Sequence, residues 1–170
     1  MDTLTETVRE AYADFLHDPD QAWSRLSPDV VFHVAGDHPL SGDHIGAEAV
    51  RRYVAEVTRA ANGRGGFSVT SAFTDDSGEL LLVEGTAFHG EEPFVRTILH
   101  LLRIKDGVVV EFWDNPFDQR AEDRFWAARF PSQRRRPVAA AARPNGVDGG
   151  ADRVAGGGVP AQLMRVFGRS

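Results

Sequence analysis

"FVRTILHLLRIKDGVVVEFWDN", residues 94–115, is the stretch whose reading decides the fold. It consists of two runs rich in β-branched, aromatic and leucine residues, joined by Lys105, Asp106 and Gly107. Such runs read as strands, and the connection is turn-like and short enough for a hairpin. Side chains alternate along a strand, so Arg96, Ile98, His100, Leu102 and Ile104 share one face of the first run. Two further strand-like runs precede it, "FSVTSAF" (67–73) and "ELLLVEGTAFH" (79–89). Their connections, "TDDSG" and "GEEP", are equally short, so the four runs read as an antiparallel meander.

Upstream the periodicity changes. Leu4, Val8, Ala11, Tyr12 and Phe15 recur at helical spacing, with Thr3 and Glu6 placed for a capping box. "DPD" (18–20) breaks that helix and "QAWSRL" (21–26) offers a short second one. "DVVFHV" (29–34) reads as a strand, and "GDHPLSGDHIG" (36–46) as a loop punctuated by Gly and Pro. Ile45, Ala49, Val50, Tyr53, Val54 and Val57 mark a third helix that "NGRGG" ends. Helices followed by a meander indicate an α+β domain. A strongly bent antiparallel sheet packed on the N-terminal helices gives a cone-shaped barrel, and a cone has an interior.

The chain's 170 residues suffice for one core-bearing domain and are too few for two ordinary ones. Its net charge of −6 conceals an asymmetry. Residues 1–130 hold 12 Arg and Lys against 23 Asp and Glu, whereas residues 131–170 hold 7 against 2. The second segment is rich in Ala, Gly, Pro and Arg and offers little side-chain volume to offset ordering entropy. The expected organisation is therefore a domain over 1–130 and a flexible tail over 131–170. The acidic domain beside "RRRP" argues against nucleic acid as a partner. The absence of cysteine excludes disulfides, thiolate metal sites and cysteine nucleophiles. No apolar signal core or membrane-length run is present, so a soluble, cytoplasmic protein with no membrane partner is expected.

"DVVFHVAGDHPLSGDHIGAEAV" (29–50), "HLLRIKDGVVVEFWDNPFDQ" (100–119) and "AEDRFWA" (121–127) together resemble SnoaL-like members of the nuclear transport factor 2 superfamily. That superfamily also includes ketosteroid isomerase and limonene-epoxide hydrolase. The resemblance covers about residues 4–128 and implies the nuclear transport factor 2-like fold. It places His100 where ketosteroid isomerase has a neutral, hydrogen-bond-donating aspartic acid, and Tyr12 where it has its oxyanion-hole tyrosine. The family's proton-abstracting aspartate falls at about Val34, which takes no proton, so the usual steroid isomerisation is not expected. Limonene-epoxide-hydrolase chemistry asks for an Arg and an Asp two residues apart on one strand face. Here Ile98 stands two residues before His100, and Arg96 four before it.

The same alignment points Phe112, Asp114 and Pro116 into the cone, and Glu111, Trp113 and Asn115 outward. SnoaL-like cyclases have an essential aspartate in this terminal strand region. Its usual spacing falls three residues beyond Asp114 and one short of Asp118, leaving the carry-over open between the two. Alternation favours Asp114, while Asp118 is placed to cap the last helix. Glu122 and Asp123 read as solvated residues of that helix. His33 lies on the first strand, where relatives often carry a histidine.

The expected site therefore holds Asp114 as base, His100 and Tyr12 as oxyanion donors and His33 as a second acid–base group, in a single pocket. Coupling to Asp114 is expected to raise the His100 pKa and keep the carboxylate ionised. Trp23, Arg96, Ile98, Leu102 and Phe112 are the expected substrate contacts. His17, His38, His44 and His89, in loops or at element ends, read as structural. The three histidines and two aspartates of residues 33–44 match no closed zinc pattern, and no metal or other cofactor is expected.

The functional expectation is a cofactor-free acid–base enzyme performing cyclisation, isomerisation or hydrolysis on a small apolar oxygenated substrate, a polyketide-type metabolite being one example. The alternatives are a non-catalytic ligand-binding domain of the same fold and an epoxide-hydrolase-like enzyme. A homodimer through the outer sheet face is expected from the outward Trp113 and its neighbours. The composition break carries a first prediction: deleting residues 132–170 leaves the thermal midpoint within a few degrees of the full chain, as read by calorimetry. Aggregation of the shortened chain would show instead that the tail completes the core.

Overall fold

The Asp106-Gly107 turn is built as its composition requires: both residues have positive φ, 52° and 80°. That is the twist a two-residue hairpin connection needs. Around it, a computed structural model describes residues 3–17, 19–89 and 94–130. The expected tail, 131–170, and the side chains of Phe15 and His17 lie outside the described residues. The helices are α1 (Thr3–His17), α2 (Pro19–Ser24), α3 (Ala47–Ala60) and α4 (Gln119–Arg129). The strands are β1 (Leu26–Val34), β2 (Gly42–Ile45), β3 (Gly65–Thr74), β4 (Leu80–His89), β5 (Phe94–Lys105) and β6 (Val108–Pro116).

The six strands form one sheet in the order β2-β1-β6-β5-β4-β3. The meander β3 to β6 is antiparallel, as the short connections dictate. Two features depart from the sequence reading. The sheet is mixed, because β1 pairs with β6 in parallel, Val34 lying beside Asp114. The second part of the expected loop forms β2, an edge strand antiparallel to β1. Ile45 consequently ends β2, 70% exposed, instead of starting α3. Four residues are too few for a visible period, and their pairing with β1 is non-local. Register shifts between Val69 and Ser71, Arg103 and Ile104, and Leu26 and Val31 interrupt the ladders. Such irregularities bend strands, and here they help the sheet to curl.

The core follows from alternation on the strands and from the apolar stripes of the helices. Leu81 and Val83 of β4 and Ile98, Leu102 and Ile104 of β5 are buried, together with Val8 and Ala11 of α1 and Val50 and Tyr53 of α3. α1 is tied to β3 by Ala72 N–H donating to Thr5 Oγ1 (3.2 Å) and Arg9 Nη2 donating to the Val69 carbonyl (3.3 Å). α4 is tied to the segment after β1. Asp37 N–H donates to Asp123 Oδ1 (2.9 Å), and Gln119 Nε2 donates to the Ala35 carbonyl (3.3 Å). Gly36 makes that approach possible: its φ is +108°, and a Cβ there would stand 2.1 Å from Gln119 Nε2.

Asp118 begins α4, its Oδ1 accepting from Ala121 N–H at 3.0 Å. Of the two candidate acids it is thus the helix cap. Asp118→Ala is expected to lower stability by about 1 kcal/mol in urea unfolding, the usual cost of losing such a cap. It should leave the cavity, and any ligand affinity it confers, unchanged.

Candidate functional site

The curled sheet, α1 and α3 line a half-open cavity of about 290 Å³. Its lining is mainly apolar and aromatic, with Phe32, Tyr53, Phe67, Ile98 and Phe112 contributing. Polar side chains stand among them, including the Tyr53 phenol and Thr58. Tyr12, His89, Arg96, His100 and Asp114 form two groups.

The first group spans α1, β5 and β6. His100 and Asp114 are registered cross-strand partners, both buried. His100 Nε2 lies 3.8 Å from Asp114 Oδ1, close but short of a hydrogen bond. On the other side of the ring, Nδ1 shares a 2.9 Å hydrogen bond with the Tyr12 hydroxyl. Phe67 stacks on His100 at 4.5 Å and lies 5.0 Å from Tyr12, fixing both rings. Gly85 of β4 leaves room for this, since a Cβ there would stand 2.3 Å from the Phe67 ring. Phe112 meets His100 edge-on at 4.8 Å. The imidazole is therefore held in one plane by aromatic contacts.

Burial governs the electrostatics, and it reverses the expected directions. Removal from water pushes the His100 imidazole down to about 3, with the Arg96 charge adding to the fall. Removal from water also raises Asp114 to about 7, against the pull of Arg96 and with a contribution from Glu122. At 3.8 Å, without a hydrogen bond, the attraction between imidazolium and carboxylate does not offset the loss of hydration. His100 is accordingly neutral at pH 7, and Asp114 titrates there. The Tyr12 hydroxyl is driven far above its ordinary value, by burial first and by Asp114 second, so it remains a phenol.

The second group joins β4, β5 and α4. Arg96 Nε contacts Glu122 Oε2 at 2.5 Å, both side chains being buried. Glu122 Oε1 also accepts from Trp126 Nε1 at 2.5 Å. The Arg96 guanidinium lies 5.6 Å from the Phe94 ring centre and 5.9 Å from that of Trp126. His89 stands 5.2 Å from the Trp126 ring. Burial, then Arg96, then Arg129 push its imidazole down to about 3.

Several expected site residues fall elsewhere. His33 is on the outer face of β1, because its neighbours Phe32 and Val34 take the inner one. It is held there between Asp43 (2.7 Å) and Glu111 (3.1 Å) and stacks on Trp113 at 4.9 Å. Trp23 packs against the core beneath the Arg51 guanidinium and does not line the cavity. Leu102 faces inward but is core. Glu122 is buried rather than solvated, since its side of α4 turns onto Arg96. Tyr12, Arg96, Ile98, His100, Phe112 and Asp114 are brought together as expected.

His89, Tyr53, Phe32 and Phe67 are among the cavity residues that the sequence reading did not assign to the site. The signal for His89 was present: it shares parity with Val83, Gly85 and Ala87, which face inward on β4. Among the described residues no three His, Asp or Glu side chains are grouped so as to hold a metal ion.

No protein-family model matches this chain, and no curated protein matches it significantly. Solved structures do. A protein of unknown function with a cystatin-like fold from Xanthomonas campestris is 25% identical with a TM-score of 0.65, the match covering 74% of this chain and 98% of that one. A nuclear transport factor 2-like protein of unknown function from Burkholderia pseudomallei is 26% identical with a TM-score of 0.58, covering 74% and 98%. TerC, co-crystallised with polyporic acid, is 21% identical with a TM-score of 0.59, covering 72% and 96%. Further matches include candidate polyketide cyclases, one of them SnoaL-like. The strand order, the cavity and these matches agree on a nuclear transport factor 2-like fold for this chain.

Proposed function

We propose that this protein is a cofactor-free enzyme that moves a proton on a small, apolar, oxygenated substrate, in an isomerisation, cyclisation or hydrolysis. One observation carries this reading: a carboxyl group titrating at about 7 shares an apolar cavity with a neutral imidazole and a phenol. A base of that pKa is matched to proton abstraction near neutral pH. Asp114 also lies beside Val34 in the parallel β1–β6 register. The resemblance places the family's proton-abstracting aspartate at about Val34, so Asp114 offers a carboxylate from the neighbouring strand.

Ionised Asp114 accepts the substrate proton, and the electron pair left behind moves onto the substrate's oxygen. The Tyr12 hydroxyl faces that oxygen as donor. Neutral His100 carries its ring proton on Nδ1 and donates it to the Tyr12 oxygen, which leaves the phenolic proton free to point at the substrate. Return of the proton from Asp114 to a second carbon completes an isomerisation. Return to an alkoxide, after a carbon–carbon bond has formed, completes a cyclisation. The candidate polyketide cyclases among the matched structures, and the one co-crystallised with polyporic acid, accord with a polyketide-type substrate. A cytoplasmic setting belongs to the same reading; no helix among the described residues is long and apolar enough to cross a membrane.

Two measurements test the base. The pKa of Asp114 is raised in the folded chain, so folding favours its protonated form. The stability this confers is complete below the unfolded pKa and is lost as pH rises from about 4 toward about 7. Asp114→Asn is therefore expected to be more stable than wild type at pH 8, with the difference shrinking at pH 5, in parallel urea unfolding. For any substrate the protein turns over, kcat/KM should rise with pH to a plateau above about 7, and Asp114→Asn should remove turnover. A pH-independent rate, or an active Asp114→Asn, would show that Asp114 is not the base, and ligand binding without any turnover would make a binding domain the better reading.

The convex sheet face supports the homodimer as part of this proposal. Phe73, Leu82, Leu101 and Trp113 are registered neighbours across β3, β4, β5 and β6, forming one apolar row with Phe73 57% exposed. A second copy is the expected cover. Sedimentation should give a dimer at micromolar concentration, and Leu101→Lys should shift it to monomer. A wild-type monomer at high micromolar concentration would refute the assembly.

A further inference from the structure

Arg96 has more donors than the described residues use. Its Nε is spent on Glu122, in an ion-pair contact rather than an aligned hydrogen bond, and the side chain is only 8% exposed. Its Nη1 is buried, and among the described residues nothing accepts from it. His89 Nδ1, which also lines the cavity, is likewise buried without a partner. So is Asp114 Oδ1, in the first group. A buried guanidinium N–H without an acceptor is costly, and a bound acceptor would remove that cost. The Phe94 and Trp126 rings and the Glu122 contact hold the guanidinium in place before any ligand arrives. Preorganised charged donors favour acceptors that carry charge.

We propose that Arg96 and His89 form an anion-accepting pole of the cavity, so that its substrate is a small planar compound bearing a carboxylate or an acidic enol or phenol oxygen. That oxygen sits at Arg96 Nη1, with the Nδ1–H tautomer of neutral His89 as a second donor. The ring body lies among Tyr53, Phe67 and Phe112 and reaches toward Asp114. Arg96 and His100 are four residues apart on β5, a span of about 13 Å. That distance separates the recognised oxygen from the reacting atom by roughly the length of a two- or three-ring molecule. The inference rests on the cavity being the substrate site, and it does not require Asp114 to be the base.

The test compares 2-naphthoate with its neutral counterpart 2-naphthamide, by titration calorimetry on the full chain at pH 8. Wild type is expected to bind naphthoate about tenfold more tightly than the amide, the scale of one charge-assisted hydrogen bond over a neutral one. Arg96→Met combined with Glu122→Gln removes the cation without stranding a buried carboxylate. This double variant should bind both compounds equally. Asp114→Asn should keep the naphthoate preference even where it loses turnover, which separates failure of this inference from failure of the catalytic reading. Should the double variant not fold, the wild-type guanidinium can be followed directly. Naphthoate, and not the amide, should shift the Arg96 side-chain N–H signals in nitrogen-15 NMR. Equal binding of the two compounds by wild type, an unchanged preference in the double variant, or unmoved Arg96 signals would each overturn the proposal.

Discussion

The central constraint is that β6 is paired on both edges, with β5 antiparallel and β1 parallel. Its inward side chains lie in the middle of the sheet, on the face that α1 and α3 cover. Asp114 is one of them, set between His100 and Val34 in the ladder. A carboxyl group in that position must either be paired or give up its charge near neutral pH. It is not fully paired, since Oδ1 has no partner among the described residues. Its pKa rises accordingly, and the functional reading follows from that displacement. The sheet topology thus creates the chemistry by denying one acid its solvent.

Much of this was legible in the sequence because alternation is a local rule. The parity of Arg96, Ile98 and His100, and of Phe112 and Asp114, carries directly from a strand to a cavity wall. The same rule applied to β1 would have sent His33 outward once Phe32 and Val34 were taken as core. The family resemblance drew it inward instead. What stayed hidden was non-local. β2 and the parallel pairing of β1 with β6 depend on partners tens of residues away. Glu122 reads as solvated because nothing in α4 shows that Arg96 waits beneath it. Trp23 and Leu102 illustrate a coarser limit, since parity separates inside from outside but not cavity wall from packed core.

Pairing arguments made from sequence also tend to overrate attraction. A histidine opposite an aspartate suggests an imidazolium–carboxylate couple, and the fold does bring the two together. Attraction between them, however, must exceed the dehydration of both ions. At 3.8 Å, with aromatic rings on the other sides of the imidazole, it does not. His100 gives up its charge, and its surviving roles are those of a neutral donor and acceptor. The Tyr12 hydroxyl completes that role by occupying Nδ1.

The two polar groups are coupled even though they do not touch. Arg96 lowers the pKa of both His100 and Asp114, so its charge favours a neutral imidazole and an ionised base together. Glu122 opposes it, raising Asp114, and the contact between Arg96 and Glu122 sets how much of the cation the rest of the cavity feels. An anion bound at Arg96 would screen the cation further and move Asp114 toward its protonated form. Substrate recognition and base strength would then compete for the same charge.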